Sequence, residues 1–280
     1  MTRMGTPVCA ETVANWLDAA GVRLRKISKT VAGGESADRE EQFDHIAGLI
    51  DRYEATGNPW FSIDTKAKEH LGRLYRKGRA YSSGPFEAFD HDFPSWADGV
   101  LIPHGIYDPR LNLGHLNLGL SRDTSEFACE SFGNFWQRLG KKRYPDATSI
   151  LLTCDCGGSN PAGKYLFKWD LQQLVDRIGL PIRIAHFPSY CSKYNPIERR
   201  FFPHVGRACE GMLFDSLERV VELMRRTTTR SGLRTTVAVM KRIYQTGREA
   251  SDWMKSSIRI NYDQVIPRWN YEIKPSCATN

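Results

Sequence analysis

Apolar residues recur along the chain at two spacings, and each spacing predicts a different kind of element. Between residues 38 and 56 they recur every three or four positions, from Phe43 to Tyr53, which predicts an amphipathic helix that ends at Gly57. The segment NPWFSIDTK follows, and its side chains alternate between the two faces of a predicted strand. The faces hold alternate residues: Trp60, Ser62 and Asp64 on one, Phe61 and Ile63 on the other.

The same two patterns continue through the rest of the chain. Further strands are predicted at 100–108, 115–121, 149–158 and 181–188. Helices are predicted at 124–139, from a cap at Asn160 to Gly179, from a cap at Asn195 onward, and around 217–224. Strands first follow one another and then alternate with helices, which predicts an α/β fold with a mixed sheet flanked by helices.

Composition narrows the class of protein. The chain has 280 residues, of which 41% are hydrophobic and 25% charged, as in ordinary globular proteins. No segment approaches the roughly 18 apolar residues of a membrane span, and the N-terminus lacks the apolar core of a secretory signal, so we expect a cytoplasmic protein. The seven cysteines include no CxxC pair and are interpreted as reduced thiols. The net charge of +7 favours a polyanionic partner.

Three acidic residues stand at positions where an active site is expected. Asp64 and Asp155 lie at the carboxyl ends of predicted strands, where sites form in open α/β sheets, and Glu198 opens the helix after the last predicted strand. The three side chains meet if the first and fourth strands are neighbours. Packed carboxylates repel, and a pair of Mg²⁺ ions would remove that cost and support phosphoryl transfer.

Each acid also has a simpler interpretation, which the residues alone leave open. Asp64 could cap a turn in SIDTK, and Asp155 could be a turn residue before the two glycines. Glu198 lies three residues after Asn195, where a glutamate often completes a helix cap.

Five ordered segments carry a resemblance to a known family. These are SIDTK, HDFP with IPHGIYD, CDCGGSN, HFP with SKYNPIE, and TTTRSGLR. Together they resemble the DDE transposases of bacterial insertion sequences, most closely the Rhodopirellula-type (Azo-type) branch related to the Tc/mariner group. The resemblance covers roughly residues 38–275.

The resemblance implies a ribonuclease H-like catalytic core that cleaves and joins DNA with two Mg²⁺ or Mn²⁺ ions, held by Asp64, Asp155 and Glu198. It also implies transposon ends and target DNA as partners, a homodimer on DNA, and a location at the bacterial nucleoid. The expected organisation is a remnant of a helix-turn-helix region with a linker at 1–35, a catalytic domain at 36–212 and a C-terminal helical extension and tail at 213–280.

Two features depart from the family pattern. Little precedes the core, and only residues 10–26 resemble the last helix and basic tail of a helix-turn-helix region, which suggests a truncated copy. Pro203 follows Glu198 within the predicted helix, and it should kink or end that helix because proline lacks the N–H that an interior position needs.

Basic and metal-ligating residues flank the acids. Phosphate contacts are predicted for Lys66, Lys193, Arg199 and Arg200, with solvated surface as the alternative. A second basic cluster comprises Arg225, Arg226, Arg230 and Arg234. A zinc site could in principle use Cys154, Cys156, His186 and Cys191, although Cys154 and Cys156 point away from the face of Asp155, so core thiols and a packing role for His186 are favoured.

Three rival functions remain beside transposition. A folded relic would bind DNA without mobilising an element, a ribonuclease H-like nuclease would cut without joining, and an interaction protein would be stabilised by zinc.

Overall fold

The computed structural model describes residues 8–23, 25, 38–85, 87–157 and 161–276, and the chain divides into two units, 1–33 and 34–280. In the first unit, helix α1 covers Ala10–Ala19. The Cys9 thiol caps it by accepting a hydrogen bond from the Thr12 N–H, and Gly21 follows the helix with a φ of 74°. The predicted short helix is therefore present, whereas most of the predicted linker lies outside the described residues.

In the described part of the chain, nine strands form a mixed sheet in the second unit. They are β1 Trp60–Thr65, β2 Glu69–Leu71, β3 Gly99–Asp108, β4 Leu113–Gly119, β5 Ile150–Cys154, β6 Ile182–His186, β7 Arg234–Met240, β8 Ile260–Tyr262 and β9 Asn270–Ile273. The order is β7-β4-β3-β1-β5-β6-β9-β8, and β2 pairs with β3.

Strand β1 occupies the middle of this sheet. It runs antiparallel to β3 and parallel to β5, while β4 is antiparallel to β3 and β6 is parallel to β5. The arrangement β4-β3-β1-β5-β6 is the ribonuclease H-like core, so the predicted fold class is confirmed. Buried β5 carries an unbroken apolar start, Ile150 to Leu152, as expected for a strand covered on both faces.

Helices cover both faces of the sheet. They are α2 Arg39–Ala55, α3 Ser125–Phe135, α4 Lys141–Arg143, α5 Tyr165–Ile178, α6 Pro196–Arg200, α7 Phe202–Ala208, α8 Leu217–Arg225 and α9 Asp252–Ser257. A π-helical turn, Trp136–Gly140, joins α3 to α4. Helix α5 begins later than predicted, because the chain first makes a turn closed by the Lys164 N–H on the Pro161 carbonyl; the predicted cap Asn160 lies outside the described residues.

The alternation along β1 divides the core into two layers, as predicted. Phe61 and Ile63 pack in the cluster beneath α3 and α5. Trp60 packs against α2 on the opposite face, and Ser62 contacts α6 on that face. Burying a side chain such as Phe61 contributes about 1.5–3 kcal/mol, so the register of β1 is strongly fixed. Asp64 therefore faces α6.

The C-terminal segment is more than the helical extension predicted for 213–280. Helix α8 is present, but β7 pairs with β4 at one side of the sheet, and β9 pairs with β6 at the other. The β-branched residues Thr235, Thr236 and Val237 suit a strand, and pairing with β4 fixes that conformation. No helix in the described residues is long and apolar enough to cross a membrane.

Candidate active site

The three predicted acids lie on three elements at one edge of the sheet. Asp64 is the fifth residue of β1, and Asp155 directly follows β5. These strands are parallel neighbours, with Ser62 level with Thr153, so their carboxyl ends reach the same edge. Glu198 lies in the first turn of α6. The first and fourth predicted strands are thus neighbours, as is required for the three acids to meet.

Asp64 is the central member of the three. Only 9% of the residue is exposed, and its Oδ1 accepts a hydrogen bond of 2.7 Å from the Thr65 N–H. Burial raises the pKa of Asp64 to about 9, and the charge of Asp155 and a hydrogen bond with the Glu198 carboxyl add to the rise. Asp64 therefore interacts with both other acids, and without a counter-charge it holds a proton at neutral pH.

Asp155 occupies the start of the loop after β5. Its Oδ1 accepts a hydrogen bond of 3.1 Å from the Gly157 N–H, a turn-type contact within the loop. Burial raises the pKa of Asp155, and the Gly157 N–H partly offsets that rise by stabilising the charged form. Both the turn contact that the simpler interpretation proposed and the approach to Asp64 are therefore present.

Glu198 does not complete a cap on Asn195. The Asn195 side chain makes no capping hydrogen bond to α6, and instead its Nδ2 donates to the Ile63 carbonyl at 3.2 Å. The Ser62 hydroxyl of β1 takes the capping position, accepting a hydrogen bond of 2.9 Å from the Ile197 N–H. Glu198 is left to interact with Asp64. Alternation in β1 put Ser62 on the face of Asp64, but nothing in the sequence paired it with Asn195.

The helix that carries Glu198 is short. It ends at Arg200, Phe201 separates it from α7, and Pro203 lies in the first turn of α7. The predicted interruption at Pro203 is therefore confirmed. Because α6 has only five residues, the position of Glu198 depends on contacts with the sheet rather than on helix length.

The donor set suits a hard divalent cation. Three carboxylates offer only oxygen ligands and negative charge, which Mg²⁺ and Mn²⁺ prefer. Within the described ranges, no group of three or more His, Cys, Asp or Glu side chains is arranged so that it could hold a metal ion. The acids thus form two interacting pairs around Asp64 rather than a closed cage.

A buried histidine supports the end of β5. His186 has no exposed surface, and its Nδ1 lies 2.9 Å from the Asp155 carbonyl oxygen and 3.3 Å from the Cys154 Sγ. Burial lowers the pKa of His186 to about 4, so the ring is neutral and donates from Nδ1 to that carbonyl. Its Nε2 lies 3.3 Å from the Tyr271 hydroxyl. The packing role favoured for His186 therefore includes holding the backbone of Asp155.

Cys154 and Cys156, considered as zinc ligands, have different surroundings in the structure. Cys154 packs in the apolar core beneath α3 and α5, while the Cys156 Sγ lies 3.2 Å from the Phe187 carbonyl oxygen. All six cysteines in the described part of the chain are free thiols.

The predicted phosphate-binding residues differ in their surroundings. Lys66 forms an ion pair with Glu69, a carboxylate that also binds Arg76. Lys193 and Arg199 instead lie 5.1 and 6.0 Å from the centre of the Tyr194 ring. Among the described residues, no carboxylate forms a salt bridge with either of them.

Two further arginines lie on or near α6. Arg39, at the start of α2, lies 5.9 Å from the Tyr194 ring, and Arg200 lies 5.4 Å from the Tyr107 ring. Arg39 was not singled out from the sequence, where nothing connects it with Glu198. We call Arg39, Lys193, Arg199 and Arg200 the basic surface.

The second basic cluster lies elsewhere. Arg234 begins β7, which runs parallel to β4 and hence to β1, so it lies toward the edge opposite the acids. Arg226 forms an ion pair with Glu222.

Comparison with protein families decides the class. A family model described as the Rhodopirellula transposase DDE domain matches residues 1–275. The chain belongs to this DDE transposase family. No curated protein matches the chain.

Solved structures of a mariner transposase are similar in fold to this family member. The Mos1 transposase paired-end complex with left transposon end is 17% identical, with a TM-score of 0.49, and the match covers 76% of this chain and 60% of that one. The Mos1 strand transfer complex is 16% identical, with the same TM-score and coverage. The Mos1 mariner paired-end complex with Mn is 16% identical, with a TM-score of 0.48, and the match covers 77% of this chain and 62% of that one. This chain thus matches about 60% of the length of those transposase chains.

Proposed function

We propose that this chain is a transposase in which Asp64, Asp155 and Glu198 bind two divalent cations, Mg²⁺ or Mn²⁺, for DNA strand cleavage and strand transfer. The observation that supports this most is the burial of Asp64 against two further acids at the end of the central strand, in a member of a DDE transposase family. When bound, the cations would supply charge stabilisation at the attacking and leaving oxygens of an in-line phosphoryl displacement.

The protein's own contribution is to hold the oxygens in place. The Thr65 N–H fixes one carboxyl oxygen of Asp64, and the Gly157 N–H fixes one carboxyl oxygen of Asp155. Such preorganisation means that the ligands need not reorient during the reaction. Burial of Asp64 excludes water from its side of the site, which strengthens its attraction for a cation.

DNA is the proposed substrate, and we assign its backbone to the basic surface beside Glu198. Exposed cations without carboxylate partners are free to pair with phosphates. Lys66 is expected to contribute less, because its ammonium group is already paired with Glu69. We further propose that residues 36–212 act as the catalytic domain and that two copies act together on DNA, which sedimentation of the DNA complex would test.

Metal-dependent nicking of a supercoiled plasmid tests the chemistry. We expect the wild-type protein to nick with Mn²⁺ or Mg²⁺ and the Asp155→Asn variant to nick at least about 100-fold more slowly, on the order of the effect of removing a key electrostatic group. Asp146→Asn, an exposed acid close by in sequence, is the matched control and should retain full activity. Full activity of Asp155→Asn would contradict the proposed site.

A strand-joining assay separates the rival functions. DNA that flanks this gene, joined to a labelled target, should yield recombinant product if the chain transposes. Nicking without joining would indicate a nuclease, and DNA binding without nicking would indicate a relic.

A further inference from the structure

A buried polar link joins the central strand to the helix that carries Glu198. Ser62 of β1 and Asn195, which precedes α6, both have no exposed surface. The Ser62 hydroxyl donates to the Asn195 Oδ1 and accepts from the Ile197 N–H at 2.9 Å. The Asn195 Nδ2 donates to the Ile63 carbonyl at 3.2 Å. These three hydrogen bonds connect Ser62 and Ile63 of β1 to Asn195, just before α6, and to Ile197, in its first turn.

The positions of these hydrogen bonds matter more than their number. On the strand they attach one and two residues before Asp64. At the helix they attach to Asn195, the residue before α6, and to Ile197, which directly precedes Glu198. Neither side chain of the link is among the groups that contact the Asp64 carboxylate. The link therefore sets the separation between the two backbones that present these acids.

The link satisfies two buried backbone groups, the Ile197 N–H and the Ile63 carbonyl, which apolar side chains could not pair. Ile197 belongs to the apolar cluster of α6, α7 and α8, so apolar residues at 62 and 195 would fill the space and leave both backbone groups unpaired. A fully satisfied buried polar network also fixes one arrangement out of several, because each alternative leaves a donor or an acceptor unpaired. A site that must hold two acids at a set distance needs that uniqueness.

We propose that Ser62 and Asn195 are positioning residues that hold the Glu198 carboxylate against Asp64 for binding of divalent cations. The inference rests on the proposed function of these acids. Neither residue touches the reacting atoms, so both act through the placement of Glu198. Removal of partners that orient metal ligands typically weakens metal binding by about 10- to 100-fold.

Calorimetric titration with Mn²⁺ tests this without any reaction. Ser62→Ala deletes one oxygen and no carbon, and Asn195→Ala carries the same test should that variant not fold. We expect each to weaken Mn²⁺ binding by about tenfold relative to the wild type. The double variant should be no weaker than the worse single variant, because both act through one link. In the plasmid assay, the half-saturating Mn²⁺ concentration should rise by the same factor.

Ser131→Ala is the matched control. Ser131 is also fully buried and also bonds two side chains, His104 and Asn117, but it lies on α3, on the face of the sheet opposite α6. It should lower the melting temperature, as Ser62→Ala should, and leave Mn²⁺ affinity unchanged. Asp64→Asn, which removes a ligand, sets the lower limit of binding.

The outcomes separate the two levels of inference. Tenfold weaker Mn²⁺ binding in the Ser62 or Asn195 variant, with the control unchanged, supports the positioning role. Wild-type affinity in those variants, with binding abolished in Asp64→Asn, overturns the positioning role and leaves the proposed function standing. No Mn²⁺ binding by the wild-type protein overturns both.

Discussion

The carboxyl groups of Asp64 and Glu198 interact, although one belongs to the central strand and the other to a short helix much later in the chain. Burial above all, with the charge of Asp155 and the Glu198 carboxyl, raises the pKa of Asp64, so Asp64 keeps a proton at neutral pH that a carboxyl group in water would lose. The proton compensates the repulsion in the metal-free protein, and a divalent cation would take over that task. Proton and metal therefore compete for the same place.

Neutralising Asp64 should stabilise the metal-free protein. Burial above all raises the pKa of Asp64 to about 9 in the folded chain, against 3.8 when unfolded. The unfolded state therefore releases a proton that the folded state keeps, and stability is lost as the pH rises from about 4 toward 9. We expect Asp64→Asn to raise the melting temperature at pH 7 in EDTA by a few degrees.

Calorimetry over a range of pH checks this prediction. The difference between Asp64→Asn and the wild type should shrink as the pH falls toward 4, where both forms are neutral. Asp170→Asn is the control, because Asp170 is also buried but is paired with Arg248, so its variant should melt at a lower temperature than the wild type. A lower melting temperature for Asp64→Asn at pH 7 would contradict the claim that the Asp64 carboxyl destabilises the metal-free protein.

The glycine opposite Asp64 on β3 should prove sensitive to a single methyl group. Gly105 pairs with Asp64 in register, and a Cβ there would lie 2.5 Å from the Phe202 ring and 2.8 Å from Ile197 Cδ1. We expect Gly105→Ala to push α6 away from the sheet, at a cost of about 1–3 kcal/mol of unfolding free energy. Denaturant unfolding measures the cost, and Mn²⁺ titration should show weakened binding in the same variant.

Gly48 provides the comparison for that experiment. A Cβ at Gly48 meets nothing within 4 Å, and the residue lies inside helix α2. Gly48→Ala should therefore be neutral or stabilising by up to about 1 kcal/mol. An equal effect of the two substitutions would mean that the close approach of α6 to β3 is unimportant.

A buried histidine on strand β4 should make the protein sensitive to mild acid. Burial lowers the pKa of His115 to about 4, while the unfolded side chain titrates near 6.5. In this pH range the unfolded state binds a proton that the folded state does not bind, so the free energy of unfolding falls as the pH drops from about 6.5 to 4. We expect this residue alone to account for up to about 3 kcal/mol over that interval.

Comparison with His115→Gln isolates that contribution. Urea unfolding at pH 7 and at pH 4.5 gives the change in free energy for each protein. The variant, which cannot gain the proton, should lose less stability than the wild type between these values. Equal losses would show that His115 is protonated in the folded state.

Binding of duplex DNA should depend on the basic surface. Removing one cation that neutralises a phosphate reduces the steepness of log affinity against log salt by about 0.9 for duplex DNA. We expect Lys193→Ala and Arg199→Ala each to reduce this slope by roughly one, and Lys66→Ala to change it less. Fluorescence anisotropy at several salt concentrations measures it. Arg226→Ala, paired with Glu222 away from the acids, should leave the slope unchanged.

The sequence predicted the strand ends better than the contacts between elements. Asp64 and Asp155 follow local patterns, alternation in one case and an apolar run in the other, and local patterns determine where strands lie. The Ser62–Asn195 link and the Lys66–Glu69 pair depend on side chains meeting after folding. Lys66 in particular looked available for DNA, because its ion-pair partner is evident only once the loop after β1 is formed.

Strand β7 illustrates the same limit. Its sequence RTTVAVM contains β-branched residues but follows a basic stretch, and alone it does not say which strand it joins. Its seven-residue parallel pairing with β4 depends on a partner far earlier in the chain.

The outer strands of the sheet come last in synthesis. Strand β4 lacks its outer partner until β7 has been made, and β6 lacks its outer partner until β9 has been made, which ends only at Ile273. Until those residues leave the ribosome, at roughly 5–20 residues per second, the nascent chain carries two open strand edges beside an already apolar centre. Newly made protein is therefore exposed to edge-to-edge association for several seconds, and chaperone supply during translation should govern how much of it reaches the native state.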